Sequence, residues 1–95
     1  MYTIVRDGVV IDKDDPRHIR LREALRDIRK GQGVTQKQLA ERLKKPQSHI
    51  SKIENGDRNV DVVQLLVMLD VLNMDSDEVI VELFRKIANV QQVDY

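Results

Sequence analysis

Residues 35–56 read Thr35-Gln36-Lys37-Gln38-Leu39-Ala40-Glu41-Arg42-Leu43-Lys44-Lys45-Pro46-Gln47-Ser48-His49-Ile50-Ser51-Lys52-Ile53-Glu54-Asn55-Gly56. Thr35 with Gln38 has the spacing of a capping box, in which each side chain satisfies the other residue's backbone amide and opens a helix. The spacing therefore predicts a short helix over 36–43, with Leu39, Ala40 and Leu43 on its inner face. Lys44-Lys45-Pro46 breaks it, because proline cannot continue the hydrogen-bond ladder. A second helix runs from Gln47 to about Glu54, with Ile50 and Ile53 inward, and Asn55-Gly56 ends it. That leaves Gln47, Ser48, His49, Ser51 and Lys52 near or on the outside. These side chains are short or rich in hydrogen-bonding groups, as a helix needs if it is to enter a major groove and touch base edges. Gln can pair with adenine through two bonds, Lys reaches guanine, and Ser contacts either kind of base. Gln36 sets an amide beside a helix N-terminus, where a phosphate is favoured. Lys37, Arg42, Lys44, Lys45 and Arg58 add positive charge around it.

Outward from this pair, Asp15-Pro16 starts a helix. Asp caps free amides and Pro suits the first helical position. Leu21, Ala24, Leu25 and Ile28 follow at helical spacing, Arg29 and Lys30 favour the negative end of the dipole, and Gly31 stops it, giving 16–30. His18 reads as solvated in the first turn. Asp61 caps a fourth helix, 62–72, apolar around nearly its whole circumference, and Asn73 suits the left-handed residue that closes it. Asp75 with Glu78 reads as a further capping box, and Val79, Ile80, Leu83, Phe84 and Ile87 form one stripe of a fifth helix reaching about residue 90. Ahead of all this, Thr3-Ile4-Val5 and Val9-Val10-Ile11 flank an Asp-Gly turn signal and read as a short hairpin arm. A lone hairpin is marginal in water, so disorder of the arm is the alternative. Short helices joined by short turns make an all-α bundle.

The 95 residues amount to one domain. Aromatics make up only 3%, so aliphatic side chains must fill the core. Cys is absent, which excludes disulfides, thiolate zinc sites and cysteine nucleophiles. With two His, no metal-ligand spacing and no phosphate-cradling glycine loop, no enzyme, metal or cofactor is expected. No apolar run approaches the ~18 residues of a membrane span, and the N-terminus lacks the layout of a signal peptide, so a cytoplasmic protein is expected. The formal net charge is zero, but it is segregated. Residues 17–58 hold twelve basic and five acidic side chains, a surplus of seven positive charges, whereas residues 59–95 hold two against seven. A concentrated positive field attracts phosphate even when the molecule as a whole is neutral.

Together, Gln36, Leu39-Ala40, Ile50 and Ile53, Ser51-Lys52 and Glu54-Asn55-Gly56 stand at the spacings of the Cro/cI-type helix-turn-helix. Over about Ile19 to Val81 the chain resembles the XRE family of transcriptional regulators. The resemblance implies a five-helix, lambda-repressor-like DNA-binding bundle. The chain is read as an arm or β-hairpin (1–14), a helix-turn-helix domain (15–82) and a helical extension (83–95) that is a candidate dimerisation element; the arm and the extension lie outside or at the margin of the resemblance. The resemblance also implies that Gln36 grips the DNA backbone and that Gln47, Ser48 and Lys52 face the groove. Expected base contacts are Gln47, Ser48, His49, Ser51 and Lys52. Expected phosphate contacts are Gln36, Lys37, Lys44, Lys45 and Arg58. Glu54 is expected to pair with a nearby Arg. Family members are commonly homodimers on palindromic operators, which implies a repressor that is a homodimer. The expected dimer interface is Val67, Val71, Phe84, Ile87 and Val90, because a small five-helix domain has little room for a longer fifth helix; packing of Phe84, Ile87 and Val90 onto the monomer's own core is the alternative. Some family members are antitoxins, so a toxin protein that binds this chain is the alternative partner. Two departures stand out. Lys44 occupies a turn position where glycine is common, so the turn must be made without glycine's freedom at positive φ. Val67, Leu69 and Val71 make the fourth helix unusually apolar.

Overall fold

The computed structural model describes residues 4–6, 9–11 and 15–88. Strands β1 (Ile4–Arg6) and β2 (Val9–Ile11) pair antiparallel, with Ile4 opposite Ile11, Val5 opposite Val10 and Arg6 opposite Val9. Five helices follow: α1 (Pro16–Gly31), α2 (Gln36–Leu43), α3 (Gln47–Asn55), α4 (Val62–Val71) and α5 (Asp77–Ala88).

Most helix ends follow from local chemistry. Asp15 accepts from the Arg17 amide at 2.8 Å and holds the Arg17 guanidinium at 2.9 and 2.6 Å. Those bonds from Arg17 keep the Asp15 carboxyl well below the usual carboxylate range. The Asp61 side chain accepts from the Gln64 amide at 2.7 Å. Asn73 adopts φ 58° after α4, as its sequence position suggests. Three expectations need correction. Gly31 does not stop α1 but forms its last residue, and the left-handed φ of 70° falls on Gly33. The start of α5 is capped by Ser76, whose Oγ accepts from the Val79 amide at 3.2 Å, rather than by an Asp75–Glu78 box. The last helical residue of α4 is Val71, with Leu72 as its cap. The expected end of α5 near residue 90 lies outside the described residues.

The core is aliphatic. Leu25 of α1, Leu39 of α2, Ile50 and Ile53 of α3, and Met68 and Leu69 of α4 are almost wholly buried. Each such side chain contributes roughly 1.5–3 kcal/mol of transfer free energy. The single phenylalanine is not among them: Phe84 is 51% exposed. Helix α1 packs against both α3 and α5, and α2 against α3 and α4, so α3 is held from two sides with one face left outward.

Candidate nucleic-acid interface

The capping box at Thr35 is formed in both directions. Thr35 Oγ1 accepts from the Gln38 amide at 3.0 Å, and Gln38 Oε1 accepts from the Thr35 amide at 2.9 Å. This fixes where α2 begins and hence where Gln36 stands. At the other end of α2, Lys44 caps the helix in the left-handed region, at φ 56° and ψ 44°. The turn thus takes the left-handed conformation without a glycine and places it on a lysine, at a cost of roughly 1–2 kcal/mol. The Lys44 and Lys45 amides donate to Glu41 and Ala40 carbonyls at 3.1 and 2.9 Å. Together these bonds satisfy the end of α2 and turn the chain sharply into α3.

On α3, Gln47, Ser48 and Lys52 are exposed. Ser51 is half-buried, and its hydroxyl donates to the Ser48 carbonyl at 3.2 Å, leaving the oxygen lone pairs to accept. Pro46 precedes the helix and supplies no side-chain cap, so the opening amides of α3 are not taken by one. Lys37 on α2, Lys44 and Lys45 in the turn, and Arg58 after α3 are all exposed.

His49 does not join them. It is 7% exposed, and its Nε2 accepts from the side-chain amide of Gln64 on α4. Burial first, then the charges of Arg58 and Lys45, push its pKa below the ordinary 6.5. The base contact expected of His49 is therefore replaced by an internal hydrogen bond between α3 and α4. Its position explains this: His49 lies four residues before Ile53, so the helix carries it toward the inward stripe.

Gln36 is half-buried, and its Nε2 donates to Glu54 Oε1 at 3.1 Å. Glu54 in turn receives the Arg29 guanidinium, Nε at 2.7 Å and Nη2 at 2.9 Å. A third Arg29 bond, from Nη1, goes to the Val34 carbonyl at 2.8 Å. Arg29 and Glu54 thus tie α1, the loop before α2, and α3 into one unit that orients Gln36. Burial acts to raise the Glu54 pKa, but hydrogen bonds from Arg29 and Gln36 outweigh it, and the net shift is downward. The pairing expected of Glu54 is present, and its partner is Arg29. From sequence, Arg29 is read only as favouring the negative end of the α1 dipole. Its place four residues after Leu25 puts it at the border of the apolar stripe of α1, a signal that does not by itself settle burial. Gln64 was also missed, although it is the one polar residue in the run Val62 to Leu69.

After α3, Gly56 takes φ 84°, and the Arg22 guanidinium occupies the place where a β-carbon would lie. The amides of Asp57 and Arg58 both donate to the Lys52 carbonyl, at 2.8 and 3.2 Å. That bend sets Arg58 beside α3.

Of the expected dimer residues, Val67 and Phe84 are exposed, Val71 and Ile87 are half-buried, and Val90 lies outside the described residues. Among the described residues, no group of three or more His, Cys, Asp or Glu is placed to hold a metal ion, and no helix is long and apolar enough to cross a membrane.

The helix-turn-helix family model matches residues 25–79, which spans α2, α3 and α4 and reaches into α1 and α5. A solved structure described as an XRE-family like protein from Pseudomonas syringae pv. tomato str. DC3000 is 35% identical, with a TM-score of 0.65, over 72% of this chain and 83% of that one. The chain belongs to the XRE family. No curated protein matches it. As an XRE-family helix-turn-helix protein it is a DNA-binding transcriptional regulator, and α3 is the helix that the family motif places second in the pair.

Proposed function

We propose that the protein is a homodimeric repressor that reads a palindromic operator with α3. The observation carrying this reading is the outward row of Gln47, Ser48 and Lys52, with Lys37, Lys44, Lys45 and Arg58 exposed on the same two helices and the turns beside them, and Glu54 held inward by Arg29. Gln47 and Lys52 read base edges, with Ser48 and Ser51 as adaptable contacts. Gln36, oriented by Glu54, and the surrounding cations hold phosphates, so affinity falls steeply as salt rises. Half-sites lie about one helical turn apart, ~10–10.5 bp.

The same reading covers the apolar surface on the side of α4 and α5. Val62, Val63, Leu66 and Val67 are all exposed, Val63 by 70%. Val62, Phe84 and Ile87 line one groove with Leu21 and Leu65. A second copy covering this surface presents two copies of α3 to one face of a duplex. The same exposure favours a second reading, in which a toxin protein docks on this surface and the chain is its antitoxin.

Selection of bound duplexes from a random pool tests the proposal, and two half-sites related by a dyad are the expected product. Gln47→Ala should cost about 1–3 kcal/mol at one base pair and relax preference there, while Lys45→Ala should weaken all sequences alike. Equal weakening of every sequence by Gln47→Ala would remove that residue from base reading.

A further inference from the structure

Helices α1 and α5 enclose a groove of about 480 Å³, on surface that neither the duplex nor the second copy proposed above requires. Its floor is apolar: Ala24 and Ile28 from α1, Met74 from the preceding loop, and Val79 and Leu83 from α5. Its volume falls in the range of about 300–1,000 Å³ typical of small-molecule sites. The groove's charge is lopsided. Asp27, Glu78 and Glu82 line it against the lone cation Lys86, and among the described residues none of the three carboxylates is in an ion pair. Glu78 and Glu82 are four residues apart and so share one edge of α5.

Gly31 supplies a separate observation. It is the last residue of α1 and lines the groove. Its φ is not positive, and a β-carbon there would meet nothing within 4 Å. Neither its backbone angle nor a close neighbour requires a glycine at this position. What its missing side chain provides is open space in the groove.

We propose that this groove binds a small amphipathic cation, with an apolar body on Ile28, Met74, Val79 and Leu83 and an ammonium group among Asp27, Glu78 and Glu82. The carboxylates select this occupant over the chain's own segments. The first sixteen residues carry a net surplus of two negative charges, and residues 89–95 carry Asp94 with no Lys or Arg. Either segment would bring like charge to a rim that is already acidic.

Protonated n-octylamine, below its micellar concentration, is the probe, and n-octanoate is the control with the same apolar body and the opposite charge. Amide chemical shifts of the full chain are followed during each titration, so the result is independent of any DNA assay. Octylamine should shift amides of residues 24–32 and 74–86 saturably, and octanoate should bind at least about tenfold more weakly, as two exposed charge contacts allow. Gly31→Leu fills the groove and should abolish the shifts. The surface variant Glu78→Gln/Glu82→Gln, which leaves the core untouched, should weaken octylamine by about tenfold and leave octanoate no weaker than before. The proposal is overturned by equal affinity for the two amphiphiles, by saturable shifts centred elsewhere, by the absence of any saturable shift with octylamine, or by octylamine binding that is indifferent to both variants.

Discussion

Glu54 shows how one side chain can be acidic, sit within a DNA-binding motif, and still serve it. Its carboxylate is 5% exposed and faces Arg29, which is 8% exposed. Replacing one member strands the other as an uncompensated buried charge, so Glu54→Gln should destabilise the domain by about 3–5 kcal/mol in urea denaturation. The fold lowers the Glu54 pKa from its ordinary 4.5. The stabilisation is therefore complete above that value and is lost as pH falls through the folded value, because the unfolded chain takes up the proton first. Acid unfolding of the wild type should contain this component, and Glu54→Gln should lack it. His49 acts at a higher pH with the same sign. Its folded pKa lies below 6.5, so stability is complete above 6.5 and declines as pH falls below it. Stability measured between about pH 7 and pH 5 should fall in the wild type, and less so in His49→Gln.

At the scale of the element, the turn between α2 and α3 is where local preference and function diverge. Lys44 holds a left-handed conformation that glycine adopts freely. Lys44→Gly should raise thermal stability by up to about 1 kcal/mol, the relief of strain being partly offset by added freedom in the unfolded chain. The same variant should weaken DNA binding and reduce its salt slope by about one unit, since a phosphate contact is lost. If stability rises while affinity and salt slope stay unchanged, Lys44 touches no phosphate. Gly56 is the contrasting case, where a φ of 84° strains any residue with a β-carbon and the space of the missing side chain is taken by the movable Arg22 guanidinium.

At the scale of the molecule, the apolar surface and the charge segregation divide the work. Lys37, Lys44, Lys45, Lys52 and Arg58 lie on or next to the helix-turn-helix, whereas Asp70, Asp75, Asp77, Glu78 and Glu82 lie on and between α4 and α5. Val67 and Phe84 are about half exposed, so the isolated domain does not depend on them for its core. Val67→Glu/Phe84→Glu should therefore change unfolding free energy by only about 0.5 kcal/mol per site, yet convert a sedimenting dimer to monomer. A dimer that survives this double substitution would place the interface elsewhere.

The helices were legible from residues that act within one turn of themselves. Thr35 with Gln38, Asp15 with Pro16, and Asp61 each satisfy amides two or three positions away, so their effect needs no knowledge of the rest of the chain. The same locality misassigned the α5 cap, where Asp75 and Ser76 are both able caps and only the path of the loop selects between them. The outward row of Gln47, Ser48 and Lys52 was likewise readable, because Ile50 and Ile53 fix the inner face of α3. The direction of His49 and the burial of Arg29 were not. Both stand at the border of an apolar stripe, where helical geometry permits either environment. Burying a polar group is tolerable only when a partner meets it, and Gln64 and Glu54 are brought to these two side chains by the packing of other helices.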